Sequence, residues 1–142
     1  MRDRVFINKS YRDYINEWND QKTLGINMLE AKEVFLLAVA LGLNSPSDIQ
    51  GTKEGYVRLQ YFKTFDKALI ASTLLGKREN ASQVDKYANL DTNYDEAEKC
   101  AETGFLKLKA LIDESEGNQE LLEKRIMKQL MDLYQINVAP NL

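Results

Sequence analysis

The stretch NMLEAKEVFLLAVALG, from Asn27 to Gly42, reads as a complete helix with both ends marked and nearly every face apolar. Asn27 is placed to accept a hydrogen bond at the N-cap, with Glu30 bonding back. Gly42 is the residue type that adopts the left-handed conformation ending a helix, and Pro46 soon afterwards prevents its resumption. Between the ends, Val34, Phe35, Leu36, Leu37, Val39 and Leu41 leave no wide polar stripe. A helix apolar almost all round must be surrounded by other elements. The segment is therefore a central core helix, and it carries no group able to do chemistry.

Working outward, Ser10 followed by Asp13 marks a preceding helix, with Tyr11, Tyr14, Ile15 and Trp18 at i, i+3, i+4 and i+7. The aromatic stripe reads as packing onto the central helix, since aromatic side chains at this spacing dominate ordinary cores. Before it, Val5-Phe6-Ile7 is either a short extended segment or a hydrophobic staple. After the central helix, NSPSDIQGTKEG (Asn44 to Gly55) has loop composition, and a loop of this length in a small domain is either functional or mobile. In GYVRLQYF, Val57, Leu59 and Tyr61 alternate with Arg58 and Gln60, the period of a half-buried strand. Only the segment around Val5 could pair with it, which is little on which to build a stable sheet.

Thr64 is placed to cap a third, largely buried helix through Phe65, Ala68, Leu69, Ile70 and Leu74 to Gly76. A shorter helix starts at Asn80 or Ser82 and contains Val84, Tyr87 and Ala88. From Thr92 a long helix aligns Tyr94, Ala97, Ala101, Phe105, Leu108 and Ile112 on one face. Gly104 sits on that face, where it costs about 1 kcal/mol relative to alanine, and a close helix crossing is the best reason for it. A turn at Gly117-Asn118 leads to a last helix, from Gln119 to about Tyr134, with a frayed tail from Val138 to Leu142. The expected fold is all-α: one domain over residues 1–142, a compact irregular bundle of five or six helices with room for one short extended segment or hairpin.

Composition narrows the chemistry. The 142 residues are 44% hydrophobic and 29% charged, the proportions of a globular chain long enough to bury one core. The longest apolar run is far short of the ~20 residues that span a bilayer. With no secretory apolar region near the start, the expected location is cytoplasmic. Histidine is absent and Cys100 is the lone cysteine, which excludes histidine-based nucleophile systems, intramolecular disulfides and the usual zinc sites. Cys100 lies close to the apolar stripe of the long helix and reads as a small core residue.

Charge is unevenly distributed around a net value of −3. Between Lys53 and Arg78, six bases face two acids, a local +4; between Asp85 and Glu123, eleven acids face four bases, a local −7. Such asymmetry steers partners. In the basic segment Tyr56, Arg58, Tyr61 and Lys63 interleave aromatic and cationic groups, and these four are the candidate partner-binding residues. Single-stranded nucleic acid is a possible ligand for that pattern, but the acidic total charge disfavours it. No phosphate-binding or dinucleotide-binding glycine motif is present. In the acidic segment Asp91, Asp95, Glu98 and Glu102 recur at helical spacing and could in principle hold a hard metal ion. Glu98 and Glu102 read as part of a solvent face, so neither a metal nor a cofactor is expected. No residue is expected to be catalytic.

KEVFLLAVALGL (Lys32 to Leu43), followed by KYANLDTNYDEAEKCAETGFLKLKALI (Lys86 to Ile112), resembles small proteins associated with bacterial DNA phosphorothioation, the dnd-associated type. The resemblance covers about half of the chain, with Tyr87-Ala88-Asn89 its most distinctive element. It implies a non-enzymatic accessory role, through protein partners, in a DNA-modification or anti-phage defence system. It brings no catalytic residues with it. The alternatives are a nucleic-acid-binding regulator using Lys53 to Arg78 and, more distantly, a carboxylate-metal enzyme.

Overall fold

A computed structural model describes residues 2–22, 25, 29–76 and 89–137. In chain order the described elements are β1 (Arg4–Asn8), α1 (Lys9–Asp20), α2 (Ala31–Leu41), β2 (Lys53–Arg58), a 3-10 turn (Leu59–Tyr61), α3 (Thr64–Leu75), α4 (Leu90–Ser115) and α5 (Gln119–Asn137). The fold is mostly helical. It is not purely all-α, because β1 and β2 form a two-stranded antiparallel sheet. The helix expected from Asn80 or Ser82, including Tyr87 and Ala88, lies outside the described residues, as do Asn27 and the tail from Val138 to Leu142. No helix among the described residues is long and apolar enough to cross a membrane.

The centre is the crossing of α2 on α4. Val34, Phe35, Ala38, Val39 and Leu41 of α2 are buried, while Leu36 and Leu37 are half-buried against the same core. On α4 the expected face of Tyr94, Ala97, Ala101, Phe105, Leu108 and Ile112 is buried throughout, with Cys100 beside it. Two glycines let the backbones meet. A Cβ on Gly104 would lie 1.6 Å from the Ala38 carbonyl oxygen, and one on Gly42 would lie 1.8 Å from that of Cys100. Gly42 does end α2, but with φ −99° it is not left-handed. Close approach, not conformational freedom, requires glycine there.

Helix starts fall near the predicted places, with different capping residues. α1 is capped by Asn8, whose side chain accepts from the Ser10 N–H at 2.9 Å, so Ser10 lies inside the helix. α2 begins after Glu30, whose N–H donates to the Glu33 carboxylate at 2.8 Å. Asn89 caps α4 by accepting from the Thr92 N–H at 3.1 Å, and Asn118 caps α5 by accepting from the Leu121 N–H at 3.0 Å. The aromatic stripe of α1 meets α4: Tyr11 stacks on Phe105 with ring centroids 5.8 Å apart, and the Lys109 ammonium lies 4.9 Å over the Tyr14 ring.

The sheet forms despite its size because helices cover it, the condition under which two strands persist. Val5 and Ile7 point into the core, and α1 and α4 pack against the strands. The register pairs Val5 with Val57 but Phe6 with Gly55, leaving Tyr56 as an extra residue in β2. The bulge lies ahead of the alternation expected from Val57 to Tyr61, which instead ends at Arg58, where the chain enters the 3-10 turn Leu59–Tyr61. α3 departs further from its predicted burial. Only Ile70 and Leu74 are buried, whereas Phe65 and Leu69 are 78% and 44% exposed. Its apolar residues occupy more of the helix circumference than the core can cover.

Candidate functional site

Tyr56, Arg58, Tyr61 and Lys63 come together around one open groove of about 670 Å³, whose opposite wall is the start of α2 at Glu30, Ala31 and Lys32. Local folding explains the arrangement. β2 ends at Arg58, and the 3-10 turn that follows is fixed by the Leu59 N–H donating to the Asp3 carbonyl at 2.9 Å. Phe62 then drives into the core, edge-on to Phe35 at 6.1 Å and against Tyr94 at 5.7 Å. With Phe62 anchored, its neighbours Tyr61 and Lys63 are left exposed at the rim.

The four residues are not equivalent. Tyr56 belongs chiefly to the core: its ring meets Phe105 edge-on at 6.2 Å, and the Arg12 guanidinium lies over it at 5.0 Å. Its hydroxyl is buried without a hydrogen-bond partner among the described residues. Burial pushes the phenol up to about 12, against the opposing influence of the Arg12 charge. Tyr61, by contrast, is 55% exposed. Arg58 and Lys63 are exposed, and neither side chain forms an ion pair among the described residues. Arg58 stands opposite Arg4 across the sheet, a like-charge pairing that does not favour the strands. Arg4 is occupied by Asp3 through two hydrogen bonds of 3.1 Å.

The far wall was not legible as part of a site. Lys32 donates to the Asp66 carboxylate at 2.9 Å, and the same oxygen accepts from the Lys63 N–H at 2.8 Å. Asp66 thus joins the start of α2 to the start of α3 through two residues that line the groove. The hydrogen bond from Lys32 holds the Asp66 carboxyl below the usual range, with the Lys63 N–H adding to the effect; the same contact raises the Lys32 ammonium. Lys32 is therefore a neutralised cation, unlike Arg58 and Lys63. Lys77 and Arg78, at the end of the basic segment, lie outside the described residues.

The acidic segment is organised differently from expectation. Glu98 and Glu102 do not form a solvent face; they are buried, at 8% and 6% exposure. Glu98 accepts from the Arg2 guanidinium at 2.8 Å and from the Phe6 N–H at 2.6 Å, and Asp95 takes the other side of the same guanidinium. Glu102 accepts from the Asn8 side chain at 3.2 Å and from the Gln50 N–H at 3.3 Å. Arg2, β1 and the loop before β2 supply these donors, and they are what makes burying two carboxylates tolerable. Among the described residues no three acid or thiol side chains are grouped to hold a metal ion. The loop before β2 is tied to the same helix, through the Ser47 N–H on the Lys99 carbonyl at 3.0 Å and the Thr103 hydroxyl on the Ser45 carbonyl.

No family model, curated protein or solved structure matches this chain. What it does has to be argued from the groove.

Proposed function

We propose that this chain is a non-enzymatic interaction protein that captures a protein partner in the groove between β2 and the start of α2. The observation that supports this reading is the convergence on one groove of an exposed tyrosine and two cations without ion-pair partners. Tyrosine and arginine are residue types that often anchor interfaces, and recognition residues concentrate where a rigid scaffold presents a turn. The wider setting, an accessory role in a DNA-modification or anti-phage defence system, rests on the two-block resemblance alone. Cytoplasmic location is part of that proposal.

The test is capture from the native host by the tagged full chain, compared with an Arg58→Glu, Tyr61→Ala, Lys63→Glu variant. Tyr56 is left intact because its ring is part of the core. Loss of specific partners with unchanged helix content by circular dichroism is the expected result. Undiminished capture would move the interaction surface elsewhere. The second reading, a nucleic-acid-binding regulator, is favoured by the same two cations beside Tyr61. It requires retention on DNA that falls steeply with salt as counterions are released.

A further inference from the structure

Resting on the groove being the partner surface, we infer that its occupant is an acidic peptide segment: a short stretch of a partner protein that seats one apolar side chain between α2 and β2 and sets carboxylates against Arg58 and Lys63. Charge complementarity carries the argument. The residues lining the groove comprise three cations, Lys32, Arg58 and Lys63, and one anion, Glu30. Asp66 neutralises Lys32 at 2.9 Å, and Glu30 lies 3.8 Å from the same ammonium. Arg58 and Lys63 remain; neither forms an ion pair among the described residues, and the acids that feel their charge, Asp3 and Asp66, are already paired with Arg4 and Lys32.

The apolar part of the groove fixes the rest of the chemistry. Ala31, Val57 and the edge of Tyr56 give a floor without charge, and Tyr61 stands exposed beside it. A volume of about 670 Å³ is in the range of sites that enclose a few side chains. Carboxylates suit an arginine because they accept two parallel N–H bonds from the guanidinium, and they suit a lysine as a point charge. A polynucleotide would need successive aromatic faces along a basic track. Burial of Tyr56 leaves only Tyr61 of the two groove tyrosines open to stacking.

The experiment is selection of short random peptides, displayed on phage, against the immobilised full chain. The strongest binder is then synthesised, labelled and titrated by fluorescence anisotropy. The expected winners place aspartate or glutamate beside a single apolar residue. Arg58→Glu and Lys63→Glu should each weaken the winning peptide by roughly tenfold, the scale of one charge-assisted hydrogen bond. A version of that peptide with lysine at the acidic positions should recover binding on the doubly reversed variant. Failure to enrich any peptide, enrichment of neutral or basic ones, affinity indifferent to both substitutions, or displacement by oligothymidine would each overturn the inference. The host-capture experiment separates the two ideas. Partner loss in the groove variant with no preference for acidic peptides sinks only the inference, whereas unchanged partner capture sinks the groove reading beneath it.

Discussion

Two regions of this protein use charge in opposite ways. Along the seam where β1 and the loop before β2 meet α4, Glu98 and Glu102 are buried, and their oxygens accept from Arg2, Phe6, Asn8 and Gln50. Around the groove, Arg58 and Lys63 are exposed and make no ion pair among the described residues. The difference separates charge that maintains the fold from charge that the fold does not use. A buried carboxylate without donors is severely unfavourable, so the seam's residues are committed to one another. An exposed cation is solvated whether or not the chain is folded, which leaves the rim available for a partner.

Both regions depend on the α2–α4 crossing, so breaking it should have the largest effect. Gly104→Val places a branched side chain where even a Cβ would be 1.6 Å from the Ala38 carbonyl oxygen. The collision is with backbone and cannot be relieved by a rotamer change. Overpacking usually costs about 1–3 kcal/mol, and a backbone collision belongs at or beyond the upper end. By circular dichroism, the expected outcome is a cooperative thermal transition for the parent and none for the variant. A sharp transition at the parental temperature would mean that the helices can separate without loss of the core.

Next in size is the seam itself. Glu98→Ala leaves the Arg2 guanidinium, 18% exposed, and the Phe6 N–H without their principal acceptor. Breaking one partner of a largely buried pair should cost about 3 kcal/mol, read from the urea midpoint at unchanged slope. Glu102→Gln sharpens the point. Among the described residues Glu102 forms no ion pair, and its Oε2 is buried without a hydrogen bond. Glutamine keeps one carbonyl oxygen for Asn8 and Gln50 while removing the charge. Its destabilisation should therefore be clearly smaller than that of Glu98→Ala, and equal losses would show that the seam responds to volume rather than to charge.

These carboxylates also mark the limit of what the sequence discloses. The face of α4 from Tyr94 to Ile112 was legible because apolar residues recur at helical spacing, and Gly104 was legible as a crossing because glycine has no other reason to sit on such a face. The opposite assignment of Glu98 and Glu102 followed the usual preference of acids for water. Their burial depends on donors from β1 and the loop, residues far away in the chain, which no local period reports. Tyr56 illustrates the same difficulty. One extra residue in β2 sends its ring to Phe105, whereas alternation alone gives no sign of a bulge. Of the groove, the β2 wall was anticipated from its aromatic and basic interleaving; Glu30, Ala31 and Lys32 were not, since the opposite wall is created only by tertiary packing.

The Lys32–Asp66 contact lies between the two extremes, a paired charge at the groove, and its signature is pH dependence. The Asp66 carboxyl is lowered in the folded chain by its hydrogen bond from Lys32. Its contribution is fully present above the unfolded carboxylate value of about 3.9 and is lost as pH falls through the lower folded value. The Lys32 ammonium is raised, so its contribution is present below about 10.4 and is lost as pH rises through the higher folded value. Asp66→Asn can still accept from Lys32 and the Lys63 N–H, which isolates the charge. The urea midpoints of parent and variant should differ by a constant amount near neutrality and converge at both extremes. A separation independent of pH would show that the contact acts through shape alone.

The smallest expected effect is at the rim. Replacing both Arg58 and Lys63 by alanine removes two exposed side chains with no ion pair among the described residues, and surface changes of this kind stay within about 0.5 kcal/mol. Arg58 also faces Arg4 across the sheet, so its removal relieves a like-charge pairing instead of breaking an attractive one. The double variant should therefore unfold at a urea midpoint equal to that of the parent or slightly above it, with the same slope. Only ligand capture should change. If it lost as much stability as Glu98→Ala, the contrast between seam and rim would collapse: the rim cations would be part of the fold, and a groove variant that failed to capture a partner would report damage rather than recognition.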